Sequence, residues 1–492
     1  MYYDLFGQGI ARLYDSTALG FSTLLQNPAT VAVTAAPRFT GFYDLPSGLL
    51  PAAPPGGFPQ IQPDIFQIAT GLDDKIKSPY SINLNFSIAR EYKHGFLVQG
   101  AYVGRLSRHS LIGDDVATPT DLKDPKSGQT YFQAASQLWA MNVAGVDVSK
   151  VPAMPFWENM WPGAAGGGLN ATQSIYTNVY QQVSDATTAL TYLDLPDDTG
   201  ACYPSCSVLG PYALFNSQYS SLAAYRSRGT GNYHAMQWTV RKRFSEGYQF
   251  DFNYTWSKSI DMASTREKDG RVASQIINAW SPGQMRGVSD YDTTHIFSAF
   301  WVAELPFGRG KKFGSGMGKG LDAVVGGWQL TGIFRQTSGL PALTDNGGFW
   351  PTDWNVEGYA TQLGPVKTGT NKNAASVGGG SGPNLFPDPT LALKSFANTL
   401  PGQSGQRNIL RGDGYFGIDV GLGKRFVMPW KDSHSIQFRV EAFNVTNTAR
   451  FDANNVTFAN VSLSLGSPNS WGNYAETLTT PRVIQFSARY EF

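Results

Sequence analysis

Two cysteines four positions apart, Cys202 and Cys206 in ACYPSC, are the only thiols of the chain. Thiols at this spacing can close a small disulfide loop or remain a free pair. A metal would need further ligands close by, and the nearest histidine in sequence is His234, so neither a metal nor another cofactor is expected. The stretch GSGMGKG, residues 314–320, invites comparison with a phosphate loop, but Phe313 stands where that motif has its first glycine and Gly320 where it has a hydroxyl residue. A flexible turn is the reading that remains. The five histidines, His94, His109, His234, His295 and His434, are scattered with no serine or aspartate patterned as nucleophile and base beside them. No enzymatic activity is expected.

The residues with the clearest spacing are polar ones placed at every second position. In YQFDFNYTW, Gln249, Asp251, Asn253 and Thr255 alternate with Phe250, Phe252, Tyr254 and Trp256, and in a later run Gln437, Arg439 and Glu441 alternate with Ile436, Phe438, Val440 and Ala442. Side chains of a strand point alternately to its two faces, so these segments are strands with one wet and one greasy face. The same pattern pairs Met236, Trp238 and Val240 with the first run through Ser245-Glu246-Gly247, and Ile82, Leu84, Phe86 and Ile88 with Phe96, Val98 and Tyr102 through residues 92–95. These are hairpins with tight turns. Further hairpins join Phe416, Ile418, Val420 and Leu422 to the Ile436 run, and 295–304 to 327–335 through a turn at 306–310. With the terminal VIQFSARYEF, about nine strands of membrane-spanning length result.

Composition agrees with strands that meet lipid. Charged residues are 15% and aromatic residues 13% of the 492, and the mean hydropathy is −0.24; soluble domains carry about 25% charged residues. Helical spans require roughly 18 or more consecutive apolar residues, and no such run occurs. A net charge of +1 gives no footprint for nucleic acid. The connections before 81 and over 107–232, 259–291, 337–412 and 447–480 are long and rich in Gly, Pro, Asn and Ser, and they alternate with the short turns. That rhythm is the one of outer-membrane barrels, with short periplasmic turns and long extracellular loops. It places the two cysteines in the longest outer loop, an oxidising compartment that favours the disulfide. Within that loop, 130–142 and 171–183 carry apolar residues near helical spacing. The expected fold is all-β: an antiparallel transmembrane β-barrel portion of about nine to ten strands, open or closed on itself, with long extracellular loops containing short helices.

The motifs NYTWSKSIDMAS, SDYDTTHIFSAFWVAELPFGRGKKF, GGWQLTGIFRQTSGLP, RNILRGDGYFGIDVGLGKRF and FRVEAFNVTNTARF, in this order, resemble a TonB-dependent outer-membrane receptor of the Oar-like type. The resemblance runs from the first residues to Phe492 and implies that 1–492 is the C-terminal part of the receptor barrel, with 107–232 a large extracellular insertion. MYYDLFGQGIARLY lacks the basic start and apolar core of a signal peptide; it resembles the end of a strand midway through such a barrel. The plug, its TonB-contacting segment and the first half of the barrel are the parts of the family without a counterpart, so TonB would be met only through a plug supplied from upstream or by another chain. Phe486, Tyr490 and Phe492 resemble the terminal signal read by the barrel-assembly machinery. The polar residues 249, 251, 253, 255, 437, 439 and 441 would line the lumen, as a solvated wall or as contacts to a ligand or the plug. The implied function is import of a ligand across the outer membrane; the alternative is a structural or adhesive surface barrel without transport.

Overall fold

The computed structural model describes residues 64–73, 75–115, 121–183, 186, 189, 192–193, 202–210, 213–214, 219–262, 264, 267–268, 271–272, 275–347, 352, 358–428, 430, 433–453 and 461–492. The strand end expected in MYYDLFGQGIARLY lies outside them. Among the described residues, ten long strands and two two-residue strands (Gln275–Ile276 and Gly287–Val288) build the main sheet; the long ones are β1 (Asp64–Leu72), β2 (Tyr80–Tyr92), β3 (Phe96–Asp115), β4 (Tyr219–Ser245), β5 (Tyr248–Asp261), β6 (His295–Glu304), β7 (Trp328–Thr337), β8 (Phe416–Val427), β9 (Ser435–Phe443) and β10 (Val483–Glu491). From β2 to β10 the order in the sheet is the order in the chain, and every neighbour is antiparallel. Among the described residues the meander is open: β2 pairs only with β3 and β10 only with β9. Two pairings depart from the expected antiparallel rule, β1 running parallel to the first residues of β4 and Gln275–Ile276 parallel to the end of β3.

Local chemistry sets the turns. Glu246 and Gly247 both have positive φ, 58° and 84°, as a two-residue hairpin turn between right-twisted strands requires. Short connections (93–95, 246–247, 305–327, 428–434) all lie at one end of the sheet and long ones (116–218, 262–294, 338–415, 444–482) at the other. At the long-connection end β3 and β4 extend to 20 and 27 residues, well beyond the roughly 9–11 that cross a bilayer.

The stretch 121–214 folds on a core of its own. Helix α1 (Tyr131–Val143) begins at Thr130, whose side chain and that of Gln133 cap each other's backbone N–H. Helix α2 (Pro155–Met160) packs against it, and helix α3 (Ala171–Ile175), which Asn170 and Gln173 cap in the same way, packs against α2. Tyr131, Leu138, Phe156, Trp157, Trp161, Tyr176 and Tyr180 fill the centre, with Trp157 edge-on to Phe156 at 5.0 Å. A second core around Phe386 and Trp471 joins the connections 338–415 and 444–482.

Three expectations need correction. Strand structure reaches Asp115 and resumes at Tyr219, so the insertion between β3 and β4 is narrower than 107–232. The connection from β6 to β7 is no tight turn at 306–310. It continues through 314–320, where the glycine-rich stretch runs into helix α4 (Lys319–Val325), whose Asp322 side chain accepts from the N–H of Arg309 at 2.7 Å. The helix expected over 171–183 is α-helical only to Ile175 and then widens into a π turn over Tyr176–Tyr180.

Candidate luminal wall and loop latch

Cross-strand register carries two continuous faces through the sheet. On one, Glu91, Leu97, Arg241, Asp251, Phe300, Ile333 and Asp419 follow one another from β2 to β8; on the other, Ile88, Gly100, Trp238, Tyr254 and Phe297 do. The second face is aromatic and open to its surroundings, with Phe86 and Ile88 more than 60% exposed. Trp238 lies over Gly100, where a side chain would come within 3.1 Å of the indole, so glycine there lets the aromatic lie flat across the strand. The first face is hydrogen-bonded along itself: Arg241 donates to Asp251 at 2.5 Å, Asn253 to Asp251 at 2.7 Å and Thr239 to Asn253 at 2.9 Å.

A water-soluble sheet has no use for an exposed aromatic face continuous over so many strands; a barrel wall in lipid does. Residues 1–485 match the family described as outer membrane beta barrel domain. The chain belongs to this family. Among solved structures it is similar to the outer membrane transporter YddB from Escherichia coli (8% identity, 86% of this chain and 34% of that one, TM-score 0.33). It is also similar to the ferric-catecholate import receptor Fiu from E. coli (8%, 89% and 31%, 0.31) and to the FrpB iron transporter from Neisseria meningitidis (8%, 86% and 33%, 0.31). The chain spans about a third of the length of each of these. No curated protein matches.

The protein is thus a domain of the outer membrane; walls of such barrels turn an apolar, aromatic face to lipid and a polar face to the lumen. All seven expected lumen residues lie on the polar face. Asp251 is buried in it; Gln249, Asn253 and Thr255 continue its row on β5. On β9 Arg439 pairs with Glu441 at 3.2 Å, Gln485 of β10 donates to Glu441 at 2.6 Å, and Gln437 stands opposite Arg425. Phe486 and Tyr490 lie on the lipid face, where Tyr490 stacks on Phe492 at 6.1 Å and meets His434 Nδ1 at 2.5 Å. Cys202 and Cys206 are joined as a disulfide.

Two lysines on the lipid face turn their charge away from it. Lys242 donates to the hydroxyl and carbonyl of Ser245 at 2.6 and 3.1 Å, 4.1 Å from the centre of the Tyr248 ring. Lys424 donates to the carbonyls of Ala323 and Gly326, with Trp328 and Phe426 beside it. Each amine reaches past aromatic rings to backbone carbonyls at the short-connection end, Lys242 at the 246–247 turn and Lys424 at the end of helix α4, as a snorkelling cation does at a membrane boundary.

At the long-connection end, pairs of opposite charge interlock the loops. Arg407, 2% exposed in its side chain, pairs with Asp261 and lies 3.9 Å from Asp290. Asn408 donates to Asp290 at 2.6 Å, and Arg411 pairs with Asp292, which also accepts from the N–H of Ser259 at 2.5 Å. Asp413 in turn accepts from Arg450 at 3.0 Å. The motifs SDYDTTHIF, RNILRGDGYFG and FNVTNTARF are therefore the partners of one another, a relation that spacing in the sequence does not reveal. In the helical stretch 121–214, despite desolvation, Ser127, Asn159 and the N–H groups of Lys126 and Ser127 hold the Asp124 carboxyl at about 2. Burial pushes the Tyr180 hydroxyl up.

Proposed function

We propose that the chain is wall and surface loops of a TonB-dependent receptor of the Oar-like type, which takes up a ligand across the outer membrane and performs no chemical step on it. The observation that carries this reading is apolar: Phe300 and Ile333 stand opposite each other on the luminal face and are 47% and 58% exposed. A wall that faces only water gains nothing from a Phe–Ile pair between Asp251 and Asp419; a wall packed on a plug buries it. The open edges of β2 and β10 ask for further strands, because unpaired backbone groups in lipid cost several kcal/mol each. In this reading the long loops are extracellular, the short turns periplasmic, and Phe486, Tyr490 and Phe492 form the face that the barrel-assembly machinery reads.

The self-contained core of 121–214 favours a second reading, a barrel that displays a binding module and transports nothing. Photo-crosslinking from position 300, in cells that express the full gene product, separates the two. Receptor function requires a crosslink to a globular segment within the lumen that also contacts TonB. A lumen that yields only solvent products leaves the display reading.

A further inference from the structure

A cavity of about 560 Å³, lined by both polar and apolar groups, opens on the luminal face near the long-connection end, away from the Phe300–Ile333 pair. Asn83 of β2, Arg105 of β3, Tyr233 of β4 and Ser259 of β5 stand opposite one another in one cross-strand row, and Asn85 lies one step along. Luminal arginines elsewhere on the described wall are engaged: Arg241 with Asp251, Arg439 with Glu441, Arg425 and Arg489 with Glu491, and Arg335 over the ring of Tyr415. Among the described residues Arg105 has no such partner, and neither have the side chains of Asn83, Asn85 and Tyr233. Tyr291, 62% exposed, reaches the cavity from the loop above. Its two chain neighbours are the anchored aspartates of the latch, Asp290 and Asp292, so the ring is presented on a fixed backbone.

From this arrangement we infer a binding site for an acidic sugar unit. The volume is within the roughly 300–1,000 Å³ of small-ligand sites. Arg105 supplies a planar fork for a carboxylate or phosphate. The Asn83 and Asn85 amides can both donate to and accept from ring hydroxyls, and Tyr233 and Tyr291 offer faces on which a pyranose packs. The anionic group is the shared chemistry, and either a sugar carboxylate or a sugar phosphate presents it. This inference rests on the transport reading for its biological meaning, but binding itself needs neither a plug nor TonB.

The test is calorimetric titration of the full gene product in detergent micelles with glucuronate, glucose 6-phosphate and glucose. Saturable binding of at least one anion, tenfold or more tighter than glucose, is expected, and the tighter of the two anions identifies the source. Arg105→Gln should weaken that anion at least tenfold, Arg105→Lys less, and Tyr291→Ala severalfold, all with the heat-modifiable gel mobility of the parent. Equal affinity for glucose and its anions, unchanged affinity in Arg105→Gln, or no binding of any of the three overturns the site. A failed crosslink from position 300 with anion binding intact would remove the transport reading and leave the site.

Discussion

Arg411 holds Asp292 twice, donating to its backbone carbonyl at 3.0 Å and pairing with its carboxylate, although 119 residues separate them in the chain. The Asp292 side chain is 1% exposed, so its charge depends on this partner and on the N–H of Ser259. The bond ties the loop after β5 to the loop before β8, and with the neighbouring Asp290–Asn408 contact it fixes the strand ends over which those loops lie.

Removing one partner of a buried pair leaves the other charge uncompensated. Arg411→Ala should therefore destabilise the latch by about 3 kcal/mol, and adding Asp292→Asn should recover much of that loss. Hydrogen exchange on peptides covering 281–292 and 404–413 reads the effect; exchange as slow in Arg411→Ala as in the parent would show that the pair does not hold the loops.

The helical stretch has its own core, so damage there should stay there. Trp157, fully buried among Tyr131, Phe156 and Trp161, should cost about 3–5 kcal/mol when cut to alanine. Exchange in 131–143 should rise steeply while the strand peptides of β4 and β5 keep their protection. Equal loss in both would make the stretch and the barrel one cooperative unit.

Asp124 gives the same stretch an acid limit. Its carboxyl lies lower in the folded state, at about 2, than the ~3.9 of an unfolded chain. Folding thus gains from the ionised form above about pH 4, and the gain disappears as pH falls from there toward 2. Protection of 131–143, followed by exchange corrected for its intrinsic pH dependence, should decline over that window in the parent and decline less in Asp124→Asn, which starts lower at pH 7. Parallel profiles would remove Asp124 as the cause.

The nine long strands were legible because each lies between lipid and lumen, and that boundary writes a period of two into residues such as 249–256. Helix α1 was likewise legible from the helical spacing of the apolar residues in 130–142, while its capping pair Thr130 and Gln133 emerged only with the structure. Helix α4 was missed because it is short and starts at Gly318 and Gly320 in a glycine-rich stretch, and the π turn after Ile175 because apolar spacing does not distinguish it from an α-helix. The latch could not be read at all: Asp290, Asp292, Arg407 and Arg411 sit in polar connections without periodicity, and only the fold brings them together. Arg105 and Tyr233 were hidden for a related reason, since alternation in β3 and β4 marks a wet face without saying which wet residues lack partners.

The assignment of the two faces is tested most directly by spin labels placed one at a time at 249 through 256, in the full gene product folded into bilayers. Collision with oxygen, which partitions into lipid, and with a water-soluble nickel chelate should alternate residue by residue. Positions 250, 252, 254 and 256 should favour oxygen, and 249, 251, 253 and 255 the chelate. A uniform profile, or the opposite alternation, would contradict a barrel wall with its aromatic face in lipid.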